Sequence, residues 1–238
     1  MRNPKWHQDE IILALDLYFR LEPGQIHARN PDIIELSKVL NQLPIHDSKP
    51  DEEKFRNPNG VGLKLSNFLA LDPNYEGTGM QAHSKLDQEL FNKYSNNREL
   101  LKRLARNIIS TTSDFELRDQ LKHIDLEDEE VQEGEVIYKL HRYRERNSRI
   151  NKKKKDLTLT RYGSLECEVC GFDFFKIYGE RGKGYIECHH RVPLSNLDPG
   201  TKTTLDDLAL VCANCHRILH RKTDDMSIDT LKSTLTKS

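Results

Sequence analysis

Two Cys-x-x-Cys pairs, Cys167 with Cys170 and Cys212 with Cys215, are separated by the 41 residues 171–211. No other feature restricts the possible folds of this chain as tightly. Four thiolates from two such turns can close a tetrahedral zinc site, and a thiolate-only site is structural because no coordination position is left for a substrate. A small module built between such turns draws much of its folding free energy from the metal. The chain has five cysteines, and this pairing suits a reducing compartment better than a disulfide framework. Cys188 is left over and reads as a buried thiol.

The same stretch carries I-E-C-H-H-R-V-P-L at 186–194 and C-H-R-I-L-H at 215–220. With the zinc already satisfied by cysteine, these histidines need another explanation. Adjacent residues on an extended strand point to opposite faces, so His189 and His190 cannot share one task. One can bind a metal while the other faces a water. His216 and His220 are spaced i, i+4 on one helix face, so His216 can join His189 on a second metal with His220 nearby. A hard divalent ion there, Mg²⁺ or Mn²⁺, would carry a scissile phosphate while a neutral imidazole takes a proton from the attacking water. Histidine suits that task because its unperturbed pKa is about 6.5.

The chain's 238 residues favour two domains. Its 37 Lys and Arg against 38 Asp and Glu leave a net charge of -1, so a nucleic-acid partner has to be argued from local clustering. No run approaches the roughly 18 apolar residues of a membrane helix, and Met1-Arg2-Asn3-Pro4-Lys5 is no signal peptide. The expectation is a soluble, cytoplasmic protein without membrane contact.

Residues 9–21 hold apolar positions on more than one face and predict a well-buried helix, with Asp9 as a candidate cap. Asn30-Pro31-Asp32 opens a second, amphipathic helix that Pro44 stops. A polar loop over 44–62, a short helix from Lys64, a turn-rich loop over 72–79 and one or two helices within 85–110 follow. The loop 55–64 places Arg56, Asn57, Asn59 and Lys64 beside glycines. That group suits phosphates or base edges, and equally a plain surface turn. Trp6 could stack on an extruded base or pin the terminus to the core. After an acidic stretch ending near residue 133 the charge reverses, and nine of the 17 residues 139–155 are Lys or Arg. A helix bearing Arg142 and Arg144 there could lie along a phosphate backbone, or be a solvated linker. The expected organisation is a helical domain over 1–110, a linker with a basic helix over 111–158, and a metal module over 159–238.

The pattern C-x-x-C, H-H-x-x-P-L, then D-D-L-A-L-V-C-x-x-C-H-x-x-x-H resembles the HNH endonucleases over about 160–222. The resemblance implies the ββα-metal fold, with His189 as a catalytic-metal ligand, His190 as general base, His216 as second ligand and His220 available as a third. The family's central Asn position holds Asp207 here, and Asp can also orient the base-bearing loop by accepting amide hydrogens. A longer stretch from G-E-V-I-Y-K-L-H-R-Y-R-E-R-N onward is similar to McrA-type restriction endonucleases. The runs W-H-Q-D-E-I-I-L-A-L-D-L-Y-F and F-R-N-P-N-G-V-G-L-K-L-S-N-F are similar to the helical modified-cytosine reader attached to some of them. These resemblances imply an α-rich N-terminal domain joined to a small α+β domain stapled by a four-cysteine Zn²⁺ site. The implied activity is hydrolysis, with Mg²⁺ or Mn²⁺, of double-stranded DNA carrying methylated or hydroxymethylated cytosine, performed by a homodimer. A nuclease acting on unmodified or phosphorothioate DNA, and a non-catalytic zinc-stapled DNA-binding protein, are the competing expectations.

Overall fold

The computed structural model describes residues 3–46, 48–80, 82–113, 115–122, 124, 135–145, 147–192, 196–198, 201–221 and 226–235. The chain divides into two compact units, Met1–Lys139 and Leu140–Ser238. The division falls inside a helix, Glu135–Glu145, so the segment 111–158 expected as a linker is shared between the two units. Most of the acidic stretch lies outside the described residues. No helix among the described residues is long and apolar enough to cross a membrane.

The first unit is helical. It contains α1 (Gln8–Tyr18), α2 (Pro31–Gln42), α3 (Pro58–Leu69), α4 (Lys85–Tyr94), α5 (Arg98–Thr112) and α6 (Phe115–Lys122), and it ends in the first half of α7 (Glu135–Glu145). α1 packs against α2, α3, α4 and α5. A helix contacted from so many sides must be apolar nearly all round, and Ile11, Ile12, Leu13, Ala14, Leu15 and Leu17 are all buried. Its N-cap is His7 rather than the expected Asp9. The His7 side chain accepts from Asp9 N, and the Glu10 carboxylate reaches back to His7 N at 2.7 Å, which is a capping box. Asp9 sits inside the first turn, where its Oδ2 accepts the Val136 amide at 3.2 Å.

Short polar side chains start α2, α3, α4 and α5. Asn30 accepts from Asp32 N at 2.8 Å, with Pro31 at the first helical position. Asn57 and Pro58 repeat that arrangement, Asn57 accepting from Gly60 N at 2.9 Å. Proline is preorganised for the first turn and its missing N–H removes nothing there. α3 therefore begins at Pro58, and the expected loop over 44–62 ends before the glycines that suggested it.

The second unit holds the rest of α7, α8 (Ser148–Tyr162), the short α9 (Phe174–Tyr178), β1 (Glu187–His190), β2 (Leu208–Val211), α10 (Ala213–His220) and α11 (Ile228–Thr234). β1 and β2 pair antiparallel, with Cys188 opposite Leu210, His189 opposite Ala209 and His190 opposite Leu208. β2 is buried along its whole length. The core of the unit joins Leu165, Val169, Ile186, Leu210, Val211 and Leu219 with Cys167, Cys188, Cys212 and Cys215, and Phe172 and Phe174 pack against it partly buried.

Candidate metal centres

The four paired cysteines converge. Their sulfurs lie within 4.8 Å of one another, and Cys170 Sγ is 3.7 Å from Cys212 Sγ. Zinc–thiolate bonds of about 2.3 Å in a tetrahedron put neighbouring sulfurs about 3.8 Å apart, so this donor set fits zinc. Local structure explains the convergence. In the first turn Gly171 N donates to Cys167 O at 2.8 Å, and Gly171 takes the left-handed φ of 75° that a glycine adopts without strain. In the second, Cys212 is the N-cap of α10 and its sulfur accepts from Cys215 N at 3.4 Å. Cys188 stands apart from this cluster on β1, and burial pushes its thiol up to about 11.

A second cluster lies in the same unit. His141, Glu145, His189 and His220 each present one ligand atom within 4.8 Å of all the others. Glu145 Oε1 is the centre of the arrangement. It is 2.9 Å from His141 Nε2, 3.2 Å from His189 Nδ1, 3.2 Å from His216 Nε2 and 3.5 Å from His220 Nε2. His216 Nε2 is also 3.0 Å from His220 Nε2, and its Nδ1 meets Glu187. Three elements supply these groups: β1 provides His189, α10 provides His216 and His220 one turn apart, and α7 provides His141 and Glu145 one turn apart.

Charge within the cluster follows from burial and pairing. Burial opposes ionisation of Glu145, but the adjacent His141, together with hydrogen bonds from His189 and His216, holds its carboxyl well below the usual carboxylate range. Burial pushes the His189 imidazole down in spite of Glu145. For His216 burial is outweighed by Glu145 and Glu187, and its pKa rises to about 9. One carboxylate thus faces several imidazoles in a desolvated space, a donor set suited to a divalent transition ion.

His190 follows His189 on β1 and performs no part of this convergence. Its Nε2 lies 3.1 Å from Thr203 Oγ1, and its ring centroid is 5.6 Å from that of His141. Asp207 braces the loop behind it. The Asp207 carboxylate accepts from Thr204 Oγ1 and Thr204 N, both at 2.7 Å, and its backbone carbonyl accepts the Arg191 amide at 2.8 Å. The hydrogen bond from the Thr204 side chain, then that from its amide, holds the Asp207 carboxyl below its ordinary value.

The side chains expected to meet DNA in the first unit are placed differently. Arg56 is buried and donates through Nε and Nη2 to the two Glu10 oxygens, both at 2.7 Å. Lys64 is buried against Asp87, with Nζ at 2.8 and 2.9 Å from its oxygens. Trp6 lies between these cations, 4.6 Å from the Arg56 guanidinium and 5.0 Å from Lys64 Nζ. Arg56 and Lys64, expected as surface contacts, are thus held in internal ion pairs, and the partly buried Trp6 packs against both cations and the core. Asn57 is the α3 cap, which leaves Asn59 as the exposed member of the group. The side chains of Arg142 and Arg144 lie outside the described residues. Sequence reasoning missed His141 and Glu145, although their i, i+4 spacing is visible inside the basic helix.

Residues 167–222 match the HNH endonuclease family. Over this region the chain is 43% identical across 54 residues to the type IV methyl-directed restriction enzyme EcoKMcrA of Escherichia coli (strain K12). The alignment covers 23% of this chain and 18% of that relative. No solved structure matches the chain.

Proposed function

We propose that this protein is a metal-dependent DNA endonuclease whose second unit is an HNH module of the ββα-metal type. The observation that carries the proposal is the convergence of His189, His216 and His220 about Glu145 Oε1, with His190 next on β1, in the same unit as a four-cysteine cluster with zinc geometry. In this reading Cys167, Cys170, Cys212 and Cys215 hold a structural Zn²⁺ that fastens β2 and α10 to the first knuckle. His189, His216 and His220 hold a catalytic divalent ion. When bound, that ion supplies charge stabilisation at the scissile phosphate and its leaving oxygen. His190 does the proton work: its imidazole, with Nε2 3.1 Å from Thr203 Oγ1, takes a proton from the attacking water. Asp207 keeps the loop of Thr203 in register by accepting the Thr204 amide, the duty expected of an Asn at this place.

The first unit is assigned the task of reading modified cytosine. Support comes from its resemblance to helical reader domains and from the methyl-directed character of the restriction enzyme that the nuclease segment resembles. One nuclease centre cuts one strand, so double-strand cleavage calls for two copies of the chain. Supercoiled plasmid grown with and without cytosine methylation tests the assignment directly. With Mn²⁺ present, the methylated plasmid is nicked and linearised and the unmethylated one survives. Equal cutting of both would remove the modification-dependent reading, and cutting of neither would remove the nuclease.

A further inference from the structure

We infer that His141 and Glu145, from α7, are direct ligands of the cation held by His189, His216 and His220, so that the centre draws on α7 as well as on β1 and α10. The inference rests on the reading that the second unit holds a divalent ion there. It adds two ligands that lie outside the matched segment 167–222.

Three observations carry it. The first is distance. Metal–nitrogen and metal–oxygen bonds of about 2.0–2.2 Å separate neighbouring ligand atoms by about 3.0–3.5 Å. The four separations from Glu145 Oε1 to the imidazole nitrogens, 2.9, 3.2, 3.2 and 3.5 Å, have the size of the edges of such a shell.

The second is hydrogen-bond arithmetic. One carboxylate oxygen has about two lone-pair positions and cannot accept well from four imidazoles. A purely structural network would spread its donors over both oxygens. Here Oε2 of Glu145 is buried without a hydrogen-bond partner, and His141 Nε2, 2.9 Å from Oε1, also lacks a hydrogen bond. Glu145 Oε1 and His141 Nε2 thus face each other without a hydrogen bond between them, which a cation bound by both would resolve.

The third is placement. His141 and Glu145 stand one helical turn apart on one face of α7, are 7% and 6% exposed, and bring the only carboxylate of the four-residue group. The His141 ring lies edge-on to those of both His190 and His220, with centroids 5.6 and 5.1 Å away. A cation bound to His141 therefore sits next to the residue assigned as base.

The test titrates Mn²⁺ into the full, zinc-loaded chain and follows free Mn²⁺ by electron paramagnetic resonance. The wild type is expected to bind one Mn²⁺. Glu145→Gln and His141→Gln should each weaken that binding by more than about tenfold, with zinc content and far-UV circular dichroism unchanged. Tyr143→Ala, at an exposed position of the same helix, should bind as the wild type does. Binding by both variants equal to wild type overturns the inference even if the protein cuts DNA. Wild-type binding that depends on α7 but is accompanied by no cleavage upholds the inference and removes the nuclease reading instead. Should either variant fail to fold, hydrogen exchange on the wild type decides: Mn²⁺ must slow exchange across residues 140–145, and unaltered exchange there overturns the ligand role.

Discussion

Glu10 is inaccessible to solvent, yet it carries a charge because Arg56 grips both its oxygens and His46 lies 3.2 Å away. Burial opposes that charge, but hydrogen bonds from His46 and Arg56 outweigh it and lower the Glu10 carboxyl from its ordinary 4.5. A depressed folded value means that the pair's stabilisation is present above pH 4.5 and is lost as pH falls through the folded value. Glu10→Gln should therefore flatten the acid limb of the stability profile, which thermal denaturation between neutral and acid pH will show. Arg56→Ala strands a buried carboxylate and should cost about 3–5 kcal/mol in denaturant unfolding. A change in DNA affinity with stability intact would restore Arg56 to the surface role its sequence context suggests. Cys188 offers a check in the other unit. A buried thiol raised to about 11 is a poor nucleophile at neutral pH, so iodoacetamide should spare it in the native protein.

At the scale of the element, the cysteine turns act as folding devices. The second unit has a two-stranded sheet of four residues per strand and a modest core, and a ribbon of that size is marginal alone. Chelation of zinc, or Cys212→Ala, should melt β1, β2 and α10 while the separate core of the first unit keeps its cooperative transition. Two-probe denaturation, one probe in each unit, will report this.

α8 is different: none of its residues is buried. Lys154 Nζ donates to Leu205 O at 2.9 Å and Lys155 Nζ to Gly184 O at 3.2 Å, whereas Arg149, Lys152 and Lys153 line an open groove beside Leu205. Replacing Lys152 and Lys153 by Ala should change stability by less than about 0.5 kcal/mol. It should lower DNA affinity and make the salt dependence shallower by about 0.9 for each phosphate that the variant leaves unneutralised. An unchanged salt slope would mean that α8 faces away from the duplex.

Element by element, the chain is unevenly legible. The two Cys-x-x-Cys turns and the i, i+4 histidines of α10 can be read directly, because a knuckle and a helix face are set by spacing alone. The start of α3 is signalled by the same Asn-Pro pair that starts α2, but two glycines make it read as loop. The polar pairs Arg56–Glu10 and Lys64–Asp87 span 46 and 23 residues, and no local pattern announces such partners. Phe175, Ile177 and Tyr185 are apolar residues of the metal module, yet they are about half exposed or more, since that unit is too small to cover them. His141 and Glu145 are hidden for a related reason: in a run dense with Arg and Lys, one His and one Glu read as a solvated face.

For the molecule as a whole, a net charge of -1 excludes any argument from overall basicity, and the case for a nucleic-acid substrate rests on the second unit. There the proposed reading keeps the structural and the hydrolytic tasks apart, with four thiolates assigned to folding the module and the histidines to a separate cation. A centre of imidazoles and one carboxylate should prefer Mn²⁺ or Co²⁺ to Mg²⁺, which favours oxygen ligands and keeps its water. Cleavage rates compared across these ions will test that order. The most direct measurement for the account is nicking of supercoiled plasmid by His190→Ala, with DNA binding and zinc content measured on the same sample. The rate should fall by about 10²–10⁴ while binding and zinc are retained. Nicking at the wild-type rate by a folded His190→Ala protein would contradict the assignment of His190 as the base, and with it the hydrolytic mechanism proposed for this module.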